Sequence, residues 1–234
     1  MPLRESSPRS VLLVAHGSQD PRAAACVRAL ARTVAAVRPG LDVRVAFLEQ
    51  SPPSPAEVLR AMPAGTVVVP LLLTNAFHGS IDLPAQVAGF DCVITETLGA
   101  PTEPLLTALS KRLPGIDFDG LVLAAAGTRM ASARDGIEDV AAALSARFNV
   151  PCRVAYAAGV PPTGAAAVTA LRAEGCRRIA VASYFLAPGR LYDMVIHSAL
   201  SAGAAAAAPP LGASWHMAQL ILDRANARLL APAA

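Results

Sequence analysis

Val11–Arg22 reads VLLVAHGSQDPR: an apolar, largely β-branched run that stops at His16-Gly17 and gives way to a helix start at Asp20-Pro21. Such a short, continuous apolar run predicts a strand buried on both faces, as in a parallel sheet. Asp20 is a good N-cap, and Pro21 suits the first helical turn, where its missing N–H would be unpaired in any case. The same succession recurs along the chain. LDVRVAFLEQSPPSP predicts a strand over Asp42–Leu48 and a helix over Pro55–Met62, with Ser54-Pro55 repeating the cap. VVVPLLLTNAFHG predicts a strand over Val67–Leu73, followed by helices over Ile81–Val87 and Thr102–Arg112. Strands alternating with helical segments mark an α/β fold on a parallel sheet.

That fold gives the strand exits a meaning. In open α/β sheets, ligands bind outside the carboxyl ends of the strands. His16 and His78 each follow a strand, and Glu49 closes a third, so two imidazoles and a carboxylate are expected along one sheet edge. These are candidate metal-binding and proton-transferring groups. His197 and His216 fall inside helical segments, YDMVIHSAL and SWHMAQLILDRANARL, and are read as helix-face residues.

A Pro/Gly/Asp break, LPGIDFDG at Leu113–Gly120, precedes a fresh strand at Leu121–Ala126, and the expected boundary lies there. Residues 1–115 form one predicted half and 116–234 the other. The second half repeats the first. LVLAAAGTRMASAR (Leu121–Arg134) echoes VLLVAHGSQDPRAA, RVAYAAGVPPTGAAAV (Arg153–Val168) echoes RVAFLEQSPPSPAEVL, and IAVASYFLAPGRLYD (Ile179–Asp193) echoes VVVPLLLTNAFHGSID. Ala126 replaces His16, Ala158 replaces Glu49 and Leu191 replaces His78, while Gly17 persists as Gly127. The joint loss of all three predicts that they work as one unit, carried by the first half alone.

Composition narrows the function classes. A formal charge of +3 with scattered arginines gives no basic stripe for nucleic acid. The four cysteines, Cys26, Cys92, Cys152 and Cys176, lack metal-knuckle spacing. MPLRESSPRS has no signal-peptide run and no window suits a bilayer span, so a cytoplasmic protein without membrane or nucleic-acid partners is expected, as a monomer or homodimer.

AHGSQDPR, FLEQSPPS and VPLLLTNAFHGSIDLP in duplicated α/β halves resemble the sirohydrochlorin chelatase family, the class II chelatases, in its long two-domain form. The resemblance spans roughly Ser10 to Leu230. It implies two tandem Rossmann-like halves with parallel sheets and a tetrapyrrole held in a cleft between them. It further implies a lyase that inserts Fe2+ or Co2+, with Ni2+ and Zn2+ as further candidates, into sirohydrochlorin for siroheme or cobalamin. The metal is then a substrate, and no organic cofactor is expected. His16, His78 and Glu49 match the family's metal-handling and proton-accepting residues. Leu73, Thr74, Asn75, Ala76, Phe77 and His78 match the loop that lines the macrocycle.

The residue types suit that chemistry. Insertion strips water from the ion and removes two pyrrole protons, which calls for moderate ligands and for bases active near neutrality. Imidazole, with an ordinary pKa of about 6.5, serves both needs. The macrocycle's peripheral carboxylates call for arginines, and Arg22, Arg44, Arg129, Arg134 and Arg190 are candidates. Arg129 and Arg190 lead, because they lie on the second-half loops equivalent to those of His16 and His78. Two rival readings are a non-catalytic metal or tetrapyrrole carrier on the same scaffold and a histidine-phosphatase-like phosphoryl-transfer enzyme. Ala15 stands where the latter needs an arginine.

Overall fold

The computed structural model describes residues 10–74 and 81–230. Its first sheet contains β1 (Ser10–Ala15), β2 (Asp42–Phe47), β3 (Thr66–Pro70) and β4 (Cys92–Ile94), all parallel, in the order β2-β1-β3-β4. Between them run α1 (Pro21–Val37), α2 (Pro55–Leu59) and α3 (Leu83–Val87), and α4 (Glu103–Arg112) follows β4. The second sheet repeats this plan with β5 (Gly120–Ala125), β6 (Cys152–Tyr156), β7 (Ile179–Tyr184) and β8 (Ala206–Ala207), in the order β6-β5-β7-β8. Between these strands run α5 (Ala131–Phe148), α6 (Gly164–Ala173) and α7 (Arg190–Ser201), and α8 (Trp215–Leu230) follows β8 in the chain. The α/β class with two parallel sheets follows the expectation.

Local chemistry explains most boundaries. The α1 helix begins where Asp20 accepts a hydrogen bond from the Arg22 backbone N–H, with Pro21 in the first turn. At α2, Ser54 and Glu57 form a reciprocal capping box. The helix ends at Leu59 rather than Met62, because the chain tightens into i→i+3 bonds, from Ala61 N–H to the Val58 carbonyl and from Met62 N–H to the Leu59 carbonyl. The α3 helix starts at Leu83, two residues later than expected, since Ile81 and Asp82 form a wider helical turn.

Both central strands are buried along their whole length, which is why they read as unbroken apolar runs. On one face of the first sheet, Leu12, Val14, Ala46, Leu48 and Val68 form a core with Leu59, Leu83 and Val87. In the second, Val122, Ala124, Ala155 and Val181 pack with Val168, Leu171, Val195 and Ala199.

The compact units do not follow a cut at residue 115. One comprises residues 1–98 with 213–234, and the other residues 99–212. The helix after each fourth strand is the reason. In the first unit α8 packs on α1 and β3, burying Met217, Ala218, Leu220 and Ile221, and Arg38 Nη1 donates to Asn226 Oδ1 at 2.8 Å. In the second unit α4 packs on β7 and α5, burying Leu105, Ala108 and Leu109, and Arg147 Nη1 donates to Glu103 Oε1 at 2.7 Å. Each sequence repeat therefore ends in a helix that belongs to the other's compact unit.

Candidate functional site

The site is assembled by strand register. β1 and β2 are neighbours with Ala15 opposite Phe47, and their ladder continues beyond the strands. Leu48 N–H donates to the Ala15 carbonyl and Glu49 N–H to the His16 carbonyl, both at 2.9 Å. Gly17 makes this approach possible. Its φ is +99°, and a Cβ there would lie 1.7 Å from the Glu49 carbonyl oxygen.

The side chains meet in turn. His16 Nε2 lies 3.3 Å from Glu49 Oε1, with the two side chains 39% and 46% exposed, so the pair is open to an arriving ion. His16 Nδ1 is 3.1 Å from the Gly17 carbonyl. A carbonyl only accepts, so Nδ1 donates there, and Nε2 is the ring nitrogen left to face Glu49. Two electron-rich atoms at this distance are satisfied by a proton or a cation between them, and nitrogen with oxygen suits a first-row divalent ion. Among the described residues, no group of three or more His, Cys, Asp or Glu side chains is placed to hold a metal.

Neighbouring loops fix the pair. Ser51 Oγ donates to the Ser18 carbonyl at 2.9 Å, tying the loop after β2 to the loop after β1. Gln86 Nε2, on α3, donates to the Leu48 carbonyl at 3.0 Å. Ser51 and Gln86 are contributions that sequence patterning missed. In sequence the loop after β2 shows only the Ser54-Pro55 cap, and Gln86 falls within the expected Ile81–Val87 helix with nothing to single it out.

The remaining expected residues are distributed as follows. Leu73 and Thr74 follow β3 and are half-buried. Asn75, Ala76, Phe77 and His78 lie outside the described residues. Arg129 follows β5 and Arg190 opens α7 after β7, both exposed. Arg22 is chelated by Asp20, with an Nη2 to Oδ2 distance of 2.6 Å, and holds that carboxyl below its ordinary value. Arg44 pairs with Asp42, and Arg134 donates to the Thr128 and Arg129 carbonyls. His197 lies on α7, 3.4 Å from Ser201 Oγ, and His216 lies on α8.

The second unit keeps the frame without the chemistry. Ala157 N–H donates to the Ala125 carbonyl and Ala158 N–H to the Ala126 carbonyl, at 3.0 and 3.1 Å. Gly127, at φ +96°, leaves room for the Ala158 carbonyl as Gly17 does for Glu49. Position by position, Ala126 and Ala158 replace His16 and Glu49 on an equivalent backbone, and Leu191, paired with His78 in the sequence alignment, is exposed.

Family comparison matches this duplication. The CbiX family model matches residues 10–118 and again residues 120–228. The chain belongs to the CbiX family. Solved structures share the fold of this CbiX-family chain at low identity. SirB from Bacillus subtilis with Fe3+ superposes with a TM-score of 0.78 at 18% identity, covering 95% of this chain and 96% of that one. The sirohydrochlorin chelatase SirB from Bacillus subtilis subspecies spizizenii, in complex with cobalt, gives 0.79 at 18% identity over 96% and 97%. CbiX, the terminal enzyme for biosynthesis of siroheme in denitrifying bacteria, gives 0.69 at 22% identity over 94% and 99%. No curated protein sequence matches the chain significantly. No helix among the described residues is long and apolar enough to cross a membrane.

Proposed function

We propose that this CbiX-family chain is a metal-inserting lyase, a sirohydrochlorin chelatase that places Fe2+ or Co2+ in the macrocycle. The observation that carries the reading is the pairing of His16 Nε2 with Glu49 Oε1 at 3.3 Å, both side chains partly exposed at strand exits. The activity is that of the SirB and CbiX structures with which the chain shares its fold, one solved with Fe3+ and one with cobalt.

In this reading the incoming ion exchanges water for His16 Nε2 and Glu49, with His78 as a further ligand. Few protein ligands leave coordination positions for the ring nitrogens, whereas a closed four-ligand site would retain the ion. As the metal forms its bonds to the ring, two pyrrole N–H bonds break and the protons pass to the site's bases and then to water. A dication thus enters and two protons leave, so charge balances. Leu73, Thr74, Asn75, Ala76 and Phe77 line the macrocycle, and Arg129 and Arg190 pair with its peripheral carboxylates.

The test is incubation with sirohydrochlorin and each of Fe2+, Co2+, Ni2+ and Zn2+, following the macrocycle's absorption. Many turnovers per protein molecule, above the spontaneous rate, are expected. Stoichiometric binding of metal and tetrapyrrole without turnover would identify a carrier instead.

A further inference from the structure

Gln50 differs from its counterpart in the second repeat, and it does so beside the reactive pair. Ser51 N–H donates to the Glu49 carbonyl at 2.8 Å, closing a three-residue turn centred on Gln50. Gln50 has φ 59°, in the left-handed region that side chains other than glycine seldom adopt. In the second unit the equivalent residue, next after Ala158, is Gly159 at φ +85°. Where no carboxylate precedes it, this position has glycine, which takes a positive φ without strain. Where Glu49 precedes it, a long amide side chain is kept against the backbone's preference.

The amide has a direct use. Gln50 Nε2 donates to Glu49 Oε1 at 2.8 Å, the same oxygen that lies 3.3 Å from His16 Nε2. Glu49 is exposed and its long side chain has several rotamers, so nothing in its own covalent structure keeps Oε1 beside the imidazole. The donated hydrogen bond does so, and it occupies one of that oxygen's two lone pairs while leaving the other open to an ion.

We propose that Gln50 is a positioning residue that acts through Glu49, holding Oε1 beside His16 Nε2 so that the two capture the divalent ion together. This rests on the chelatase reading above. Gln50 touches neither metal nor macrocycle in this role. Its effect therefore belongs in metal capture rather than in tetrapyrrole binding.

The experiment compares the full-length protein with Gln50→Gly and Gln50→Asn. Gln50→Gly copies the second repeat and relieves the left-handed strain, so its thermal unfolding midpoint should equal or exceed that of the parent. Without the donor, Co2+ titrated in the absence of tetrapyrrole should bind roughly tenfold more weakly, the scale of losing a hydrogen bond that orients a metal ligand. The KM for metal should rise by a similar factor while the KM for tetrapyrrole stays within twofold. Gln50→Asn keeps an amide and tolerates the left-handed region, so it should recover most of the Co2+ affinity. Unchanged Co2+ binding in Gln50→Gly, no recovery in Gln50→Asn, or a lowered unfolding midpoint in Gln50→Gly would each overturn the proposal. Failure of the chelatase reading would look different, because the parent protein itself would then fail to insert metal while the Co2+ titrations still report on Gln50.

Discussion

Glu49 is bound to His16 at two levels: its backbone N–H donates to the His16 carbonyl at 2.9 Å, and its Oε1 lies 3.3 Å from the His16 Nε2. The first contact is an extension of the β1–β2 ladder, so the second inherits its position from strand register. A register slip of one residue would turn the Glu49 side chain to the other face of the sheet. The reactive pair is therefore as well placed as the central strands are buried.

His16→Ala and Glu49→Gln should each reduce metal insertion by roughly a hundredfold or more, the scale of removing a proton-transfer group or key ligand. Both side chains are substantially exposed at strand exits, so thermal stability should change by only about 0.5 kcal/mol. Absorption-monitored turnover and a thermal melt on each variant check this. Turnover near the parent's in both variants would remove the pair from the mechanism.

Gly17 and Gly127 make a matched pair of tests. A Cβ would lie 1.7 Å from the Glu49 carbonyl oxygen at Gly17 and 2.1 Å from the Ala158 carbonyl oxygen at Gly127, and both residues have positive φ. Gly17→Ala and Gly127→Ala should each cost about 1–3 kcal/mol of stability, the range for a side chain forced into such a conformation, plus the clash. Only Gly17→Ala moves Glu49, so only it should also weaken Co2+ binding. Chemical denaturation and Co2+ titration of both variants separate the two effects.

Strand exits were legible in the sequence because buried parallel strands are unbroken apolar runs, and those runs stop at His16 and just before Glu49. The α1 start was legible because Asp20-Pro21 is a local signal needing no tertiary context. The repeat was legible too: pairing His16 with Ala126 and Glu49 with Ala158 corresponds to equivalent backbone hydrogen bonds in the two units. Which unit α4 and α8 join was not legible, since an apolar helix face fits either of two similar sheets. Gln50 was hidden for another reason. Its interest depends on a φ value and on a carboxylate position, and neither leaves a mark in composition or periodicity.

The helix exchange predicts that the sequence repeats do not fold alone. A fragment of residues 1–115 lacks α8, whose Met217, Leu220, Ile221 and Leu222 are each no more than 4% exposed. Burying a side chain of this kind contributes about 1.5–3 kcal/mol, so the deficit is comparable with a typical domain stability of about 5–15 kcal/mol. Residues 1–98 joined through a flexible linker to 213–230 should instead be folded. Circular dichroism and limited proteolysis of the two fragments compare them, and a cooperative, protease-resistant fragment 1–115 would contradict the assignment of α8.

Asp119 should give the second unit an acid-sensitive tie. Its carboxylate accepts the backbone N–H groups of Arg177 and Arg178 at 2.8–2.9 Å, which holds its pKa below the ordinary 3.8. A depressed pKa in the folded state stabilises above the unfolded value, and that contribution is lost as pH falls through the folded value. Asp119→Asn should therefore lower the melting temperature near neutral pH and flatten its decline below about pH 4. A melting series from neutral to acid pH on both proteins checks the sign; parallel curves over the whole range would count against this tie.

Arg129 and Arg190 test whether the second unit serves the same substrate. Both are exposed at strand exits equivalent to those of the first unit, and among the described residues no hydrogen bond or ion pair engages either guanidinium. Arg22, Arg44 and Arg134 are by contrast already committed to Asp20, to Asp42 and to backbone carbonyls. Exposed guanidiniums ready for bidentate pairing suit a polycarboxylate macrocycle. Arg129→Ala and Arg190→Ala should each weaken tetrapyrrole binding by about 1–3 kcal/mol, the range for charge-assisted hydrogen bonds, and leave Co2+ binding by the free protein unchanged. His16→Ala should show the reverse, losing Co2+ affinity while retaining the tetrapyrrole. Separate titrations of each variant with sirohydrochlorin and with Co2+ distinguish these patterns. Arginine variants that bind the tetrapyrrole as the parent does would leave the repeat's second copy a scaffold for the first, with no grip of its own on the substrate.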